Sequence, residues 1–394
     1  METVRQFPLD PAFVQDPYPF YDRARALGRL VYWEDYGMAA SFDAATVQAL
    51  LRDRRLGREA PAHLRRPYPD HLRDWGRVED CSLLEMEPPG HTRLRGLVLR
   101  AFTSRRIAGL RPDIEAIADE LLAALPRDRP FDLIPAYCTP LPVRIIARLL
   151  GVPEDMWPDL LRWSHAMVAM YQVGRDRATE EAANEAARAF SAFLTDYIEA
   201  RRADPRDDLL TELIAAEQDG EKLDTDELIG TCILLLNAGH EATVHGLGNA
   251  VKALLEHGGA EAALGPDQCA ATVEEVLRYD PPLHIFTRYA YEDVTLGDVT
   301  IEKDQQVALI LGAAGRDPAL WDDPHRFDPA RAPRPHAAFG GGLHFCVGAP
   351  LARMEMQIAL AKLFAHLPAL RLADRPRYAM SYHFHKLDRL MVQA

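Results

Sequence analysis

The sequence predicts a mainly α-helical protein, one large domain over residues 1–394 that carries small β-sheets. Two observations lead there. Apolar residues recur at helical spacing through most of the chain, while strand-like alternation is confined to a few short stretches. No internal repeat and no linker between balanced halves divides the sequence.

In chain order, Leu30–Trp33 and Met38–Phe42 read as strands. Residues 55–90, rich in Arg, Pro and Asp and weakly periodic, read as a long surface loop, the expected region of substrate access. Leu110, Ile114, Ile117, Leu121 and Leu122 share a helix face that Pro126 ends. A helix over 142–150 is stopped by Gly151 and Pro153, and an Ala- and Glu-rich helix over 177–203 ends before Pro205. Asp224 and Glu227 spell a capping box, in which each side chain accepts from the other residue's backbone amide. It opens an unusually long helix, 224–257. Strands follow at Phe286–Ala290, in a hairpin over 294–301 turned by Gly297 and Asp298, and at Gln306–Leu311. Residues 339–367 read as a glycine-rich loop running into a helix.

Composition excludes several functions. The formal charge of −14 opposes sequence-independent binding to nucleic acid, which rests on excess Lys and Arg displacing counterions. The 5 cysteines, at 81, 138, 232, 269 and 346, contain no CxxC pair and are too sparse for a disulfide framework. The start METVRQFPLDPAF lacks the pattern of a secretory signal, and no run approaches the ~18 apolar residues of a membrane span. A cytoplasmic protein without membrane association is expected.

The chemistry concentrates in Phe339–Glu355, FGGGLHFCVGAPLARME. A lone Cys is most often a small buried hydrophobe. Cys346, by contrast, follows three glycines and precedes an amphipathic helix. The partial positive charge at a helix N-terminus favours thiolate over thiol, and the glycines let a bulky group approach the backbone. Such a thiolate could ligate a metal or attack an electrophile.

Phe339, Gly340, Gly342, His344, Cys346 and Gly348 match FxxGxxxCxG and its bacterial form FGxGxHxCxG, so the chain resembles a bacterial cytochrome P450. The resemblance implies the P450 fold, with haem b (iron protoporphyrin IX) lying between the long distal helix and the Cys-bearing helix, and Cys346 as axial thiolate. Glu275 and Arg278 match the ExxR element, and Arg326 in PHRFDPAR matches the third member of the family's structural ion-pair network. His91, Arg95, Arg288 and His344 match positions that hold the haem propionates. Ala238, Gly239, Phe339 and Gly348 match positions against the porphyrin.

Ala238-Gly239-His240-Glu241 resembles the family's AGx[DE] stretch, which makes Glu241 a proton-relay residue by resemblance. The next family position usually holds Thr, which helps deliver protons. Here it is Ala242, and Thr243 is rotated by ~100° on the helix. A substrate hydroxyl or an ordered water near Glu241 and Thr243 is expected to complete the relay. Substrate contacts are expected by position from Leu234, Asn237, His284, Ile285, Phe286 and Phe384.

The implied activity is insertion of one oxygen atom from O2 into a small organic substrate. A peroxide-driven oxidase and a non-catalytic haem protein are the alternatives. The chain contains no recognisable flavin or nicotinamide segment, so a separate ferredoxin and its NAD(P)H-dependent reductase are expected to supply electrons. Arg93, Arg95, Arg100, Arg105 and Arg106 form a candidate docking patch.

Overall fold

A computed structural model describes residues 1–218 and 221–394. The helices that matter for function are α1 (Arg73–Glu79), α2 (Gly90–Ala101), α3 (Pro140–Leu150), α4 (Trp157–Val168), α5 (Arg177–Ala203), α6 (Thr225–His257), α7 (Cys269–Tyr279) and α8 (Ala349–His366). The main sheet comprises β1 (Thr3–Val4), β2 (Val31–Trp33), β3 (Met38–Ser41), β4 (Leu56–Gly57), β5 (Ile285–Ala290) and β6 (Gln306–Ile310). The chain forms two compact units, each assembled from separate segments. The first holds residues 1–63, 118–138 and 242–394, and the second 64–117 and 139–241.

In the first unit the main sheet has the order β1-β2-β3-β6-β5-β4. β5 runs antiparallel to β6 with Arg288 opposite Val307, and β6 runs parallel to β3. Side chains alternate across a strand, so the sheet serves two cores. Val307, Leu309 and Ala290 join Val47, Leu50 and Leu51 on one face, with Phe286 packed against them. Ala308, Ile310 and Ile285 join Phe13, Tyr21, Trp33 and Phe42 on the other. The expected hairpin pairs Val294–Leu296 with Val299–Ile301, and Gly297 supplies the turn's left-handed residue at φ +68°.

The second unit is helical. α5 packs along α4, with Trp163 and Phe190 rings 5.1 Å apart, and against α1, where Asn184 accepts from the amides of Asp74 and Trp75. Helix ends follow the sequence signals. Gly151 closes α3 at φ +79°, and α5 stops at Ala203. The capping box forms in both directions, Glu227 N–H to Asp224 at 2.8 Å and Asp224 N–H to Glu227 at 3.0 Å.

The long-loop reading of 55–90 is corrected. The segment contains β4 and α1, and α1 buries Trp75, Gly76, Val78 and Glu79. Those buried positions are interleaved with charged residues, which masked the helical period. Among the described residues, no helix is long and apolar enough to cross a membrane.

Candidate active site

The loop from Phe339 to Gly348 owes its shape to backbone that only glycine supplies. Gly340 and Gly342 have φ of +69° and +65°, and a Cβ on Gly342 would collide with the carbonyl oxygen of Leu51. The Cys346 amide donates to the Phe339 carbonyl at 3.0 Å and closes the loop. Gly348 then occupies the N-cap of α8, so Cys346 stands just ahead of that helix's N-terminus. Cys346 is exposed. The other thiols face the opposite situation: burial pushes Cys269 up, Cys81 to about 11 and Cys232 to about 12.

Behind the loop, Arg278 is 1% exposed and Glu275 2%. Arg278 donates two hydrogen bonds to the carboxylate, at 2.7 and 2.8 Å. The expected third member is corrected. Arg326 contributes its backbone carbonyl, which accepts from Arg278 at 3.1 Å, while its side chain is exposed. The second guanidinium on Glu275 is that of Arg331, 3.3 Å away, which also donates to the carbonyls of Asp322 and Asp323. Both arginines lie in PHRFDPAR, and residue spacing cannot tell which one turns inward.

On β5, Arg288 is almost fully buried, at 2% exposure, and donates to the Thr287 carbonyl at 2.8 Å. Phe286 lies on the same strand face and packs against Gly340 of the Cys loop. His344 is half-buried in the turn before Cys346. Two expected substrate contacts are corrected. Ile285 points into the opposite, aromatic core. His284 is wholly buried, its Nδ1 bonded to the Tyr21 hydroxyl at 2.8 Å, and burial lowers it to about 4. Phe384 packs edge-on against His245 of α6, with ring centroids 5.6 Å apart. Ala242 is half-buried and Thr243 buried.

In the second unit, His91 is buried and Arg95 half-buried, one turn apart on α2. Along α6, Leu234 and Asn237 are half-buried and Ala238 is exposed. The Asn237 Oδ1 is buried without a hydrogen-bond partner among the described residues. Gly239 packs against Ile146 of α3, where a Cβ would come within 2.8 Å. That contact gives Gly239 a helix-packing role. Glu241 is buried and faces His165 of α4, which sequence reasoning missed, at 3.3 Å. The basic patch is narrower than its sequence. Arg93 pairs with Glu227, and Arg106 with Asp207 and Glu212, leaving Arg100 and Arg105 exposed.

In the first unit, an exposed cysteine ahead of a helix N-terminus, a glycine loop and the side chains of Arg288 and His344 have the chemistry that haem requires; His91 and Arg95 belong to the second unit. Comparison with known proteins agrees. The sequence model of the family described as Cytochrome P450 matches residues 269–370. Cytochrome P450 107B1 of Saccharopolyspora erythraea is 43% identical over 317 residues, covering 79% of this chain and 76% of that protein. The 6-deoxyerythronolide B hydroxylase of the same organism is 39% identical, covering 85% and 82%. Among solved structures, P450BioI in complex with a hexadec-9Z-enoic acid ligated acyl carrier protein superposes with a TM-score of 0.92 at 34% identity, covering 97% of this chain and 99% of that one.

The fold and the site define a haem-thiolate oxidoreductase. The chain belongs to the cytochrome P450 family, among its bacterial members, and is a monooxygenase whose cofactor is haem held by an axial cysteine thiolate.

Proposed function

We propose that Cys346 is the axial ligand and that the enzyme hydroxylates or epoxidises a polyketide-derived, hydroxyl-bearing substrate, using electrons from a ferredoxin and its NAD(P)H-dependent reductase. The exposed position of Cys346 ahead of α8 carries the assignment, because among the chain's cysteines it combines exposure with a helix N-terminus. Haem bound there supplies activation of dioxygen, one atom of which enters the substrate. Arg288, His344, His91 and Arg95 supply cationic and donor groups for the propionates, whose burial requires pairing. Phe339 and Gly348 bracket the ligand loop.

Glu241 carries protons inward. Ala242 has no hydroxyl, so the substrate's own hydroxyl or an ordered water, held near Glu241 and Thr243, completes the path. Leu234, Ala238, Phe286 and Phe384 offer apolar contact. The Asn237 Oδ1 is a buried acceptor that a substrate hydroxyl would satisfy, and leaving it unmet costs roughly 1–3 kcal/mol. A relative named as a polyketide biosynthesis cytochrome P450 supports the polyketide class. Arg100 and Arg105 are the exposed cations offered to an acidic ferredoxin.

The test is a titration of the haem visible spectrum with a panel of hydroxylated macrolactones and, separately, free fatty acids. Spectral shifts with macrolactones that weaken in Asn237→Leu support the reading. Shifts with fatty acids alone would replace it by an acyl substrate.

A further inference from the structure

We propose that His165, His240 and Glu241 form a binding site for a divalent transition-metal ion of the zinc class. Each offers one ligand atom, and the three atoms lie within 4.8 Å of one another. The His165 Nε2 is 3.3 Å from the Glu241 Oε1, and the His240 Nε2 is 4.0 Å from the same oxygen. Zinc takes nitrogen and carboxylate ligands at ~2.0–2.2 Å in tetrahedral geometry, which spaces ligand atoms roughly 3.4 Å apart. One of the three pairs already has that spacing, and the other two, each within 4.8 Å, need small side-chain shifts to reach it.

The tautomer of His240 supports the same conclusion. Its Nδ1 lies 2.7 Å from the Leu236 carbonyl, which only accepts, so Nδ1 carries a proton. In the neutral ring the lone pair is then on Nε2, 4.0 Å from the Glu241 Oε1. An imidazole whose other nitrogen donates to a backbone carbonyl is the usual outer support of a metal-binding His. Glu241 and His240 are 5% and 2% exposed, so an ion held between them would be largely shielded from solvent.

His165 provides access, because its side chain is 55% exposed. An ion arriving at α4 would meet His165 first and keep a solvent ligand in its fourth position, as open zinc sites do. Two imidazoles select against Ca²⁺ and Mg²⁺, which prefer all-oxygen shells. In the other comparable trio among the described residues, Asp280, His284 and His385, the carboxylate and both His385 nitrogens already have hydrogen-bond partners. Tyr18 and Tyr378 donate to Asp280, and both ring nitrogens of His385 face acceptors, Asp280 and the Val14 carbonyl.

On the reading of Glu241 as the proton carrier, a bound ion withdraws its carboxylate and slows turnover. Binding itself is tested without turnover. Zn²⁺ is titrated into the purified haem protein against a chromophoric zinc indicator, and the bound ion is examined by zinc-edge X-ray absorption. One equivalent with nitrogen and oxygen ligands is expected. His165→Ala and Glu241→Gln should each weaken binding by about tenfold or more, and His165→Cys, which retains a ligand, should restore it. Equal affinity in wild type and His165→Ala, or sulfur ligation of zinc in the wild type, would overturn the proposal. Neither result touches the haem assignment, which is read from the visible spectrum.

Discussion

The Arg353 guanidinium lies 4.5 Å from the centroid of the Phe339 ring while donating to Glu274 at 2.6 and 2.9 Å. A residue of α8 thus grips the first residue of the Cys loop and ties it to α7. Glu274 also bonds His336 at 3.1 Å. The adjacent glutamates of α7 therefore have different partners, Glu275 holding Arg278 and Arg331, and Glu274 holding the loop side.

This arrangement has a pH signature. Burial opposes ionisation of Glu274, but hydrogen bonds and charge from His336 and Arg353 outweigh it and hold the carboxyl down to about 2. A carboxyl depressed from an unfolded value of ~4.3 stabilises the fold above that pH and loses its contribution as pH falls toward the folded value. Glu274→Gln should cost about 1–3 kcal/mol near neutrality. In urea melts the gap to wild type should close as pH drops below ~4.3. A gap that stays constant to ~pH 3 would disprove this role.

The two arginines of PHRFDPAR should separate cleanly. Arg331→Ala strips a cation from a buried carboxylate and is expected to cost about 2 kcal/mol or more. Arg326→Ala keeps the backbone carbonyl that Arg278 uses, so its effect should stay within ~0.5 kcal/mol. Denaturant midpoints of the two variants decide, and equal losses would restore Arg326 as the network's side chain.

Gly342→Ala forces a side chain into left-handed backbone and against the Leu51 carbonyl, a strain of roughly 1–3 kcal/mol. The purified variant should carry clearly less haem per chain than wild type with its far-UV circular dichroism unchanged. Full haem occupancy would mean that the loop does not set the site.

Ala242→Thr adds the hydroxyl that family members usually place here. If a substrate hydroxyl already completes the proton path, product formed per NAD(P)H consumed should hold or fall with a hydroxylated ligand from the spectral panel. A sharp rise in coupling would remove the substrate-assisted account.

Local signals made much of this legible from sequence. The capping box at Asp224 and Glu227, the stop at Gly151 and the glycine loop before Cys346 are each specified by neighbouring residues, and each appears as read. What was not legible depends on distant partners. Arg331 meets Glu275 across 56 residues, and Arg353 meets Glu274 across 79. His165 and Glu241 sit on different helices. Ile285 and Phe286 are adjacent, yet strand alternation sends them to opposite cores. The apolar run does not say which core is which.

The identity of the axial ligand decides the account, and the carbon monoxide adduct of the reduced protein reads it directly. Wild type and Cys269→Ser are expected to show the same thiolate-type haem absorption, and Cys346→Ser to lose it. A Cys346→Ser protein whose reduced adduct keeps the parental spectrum would contradict the assignment.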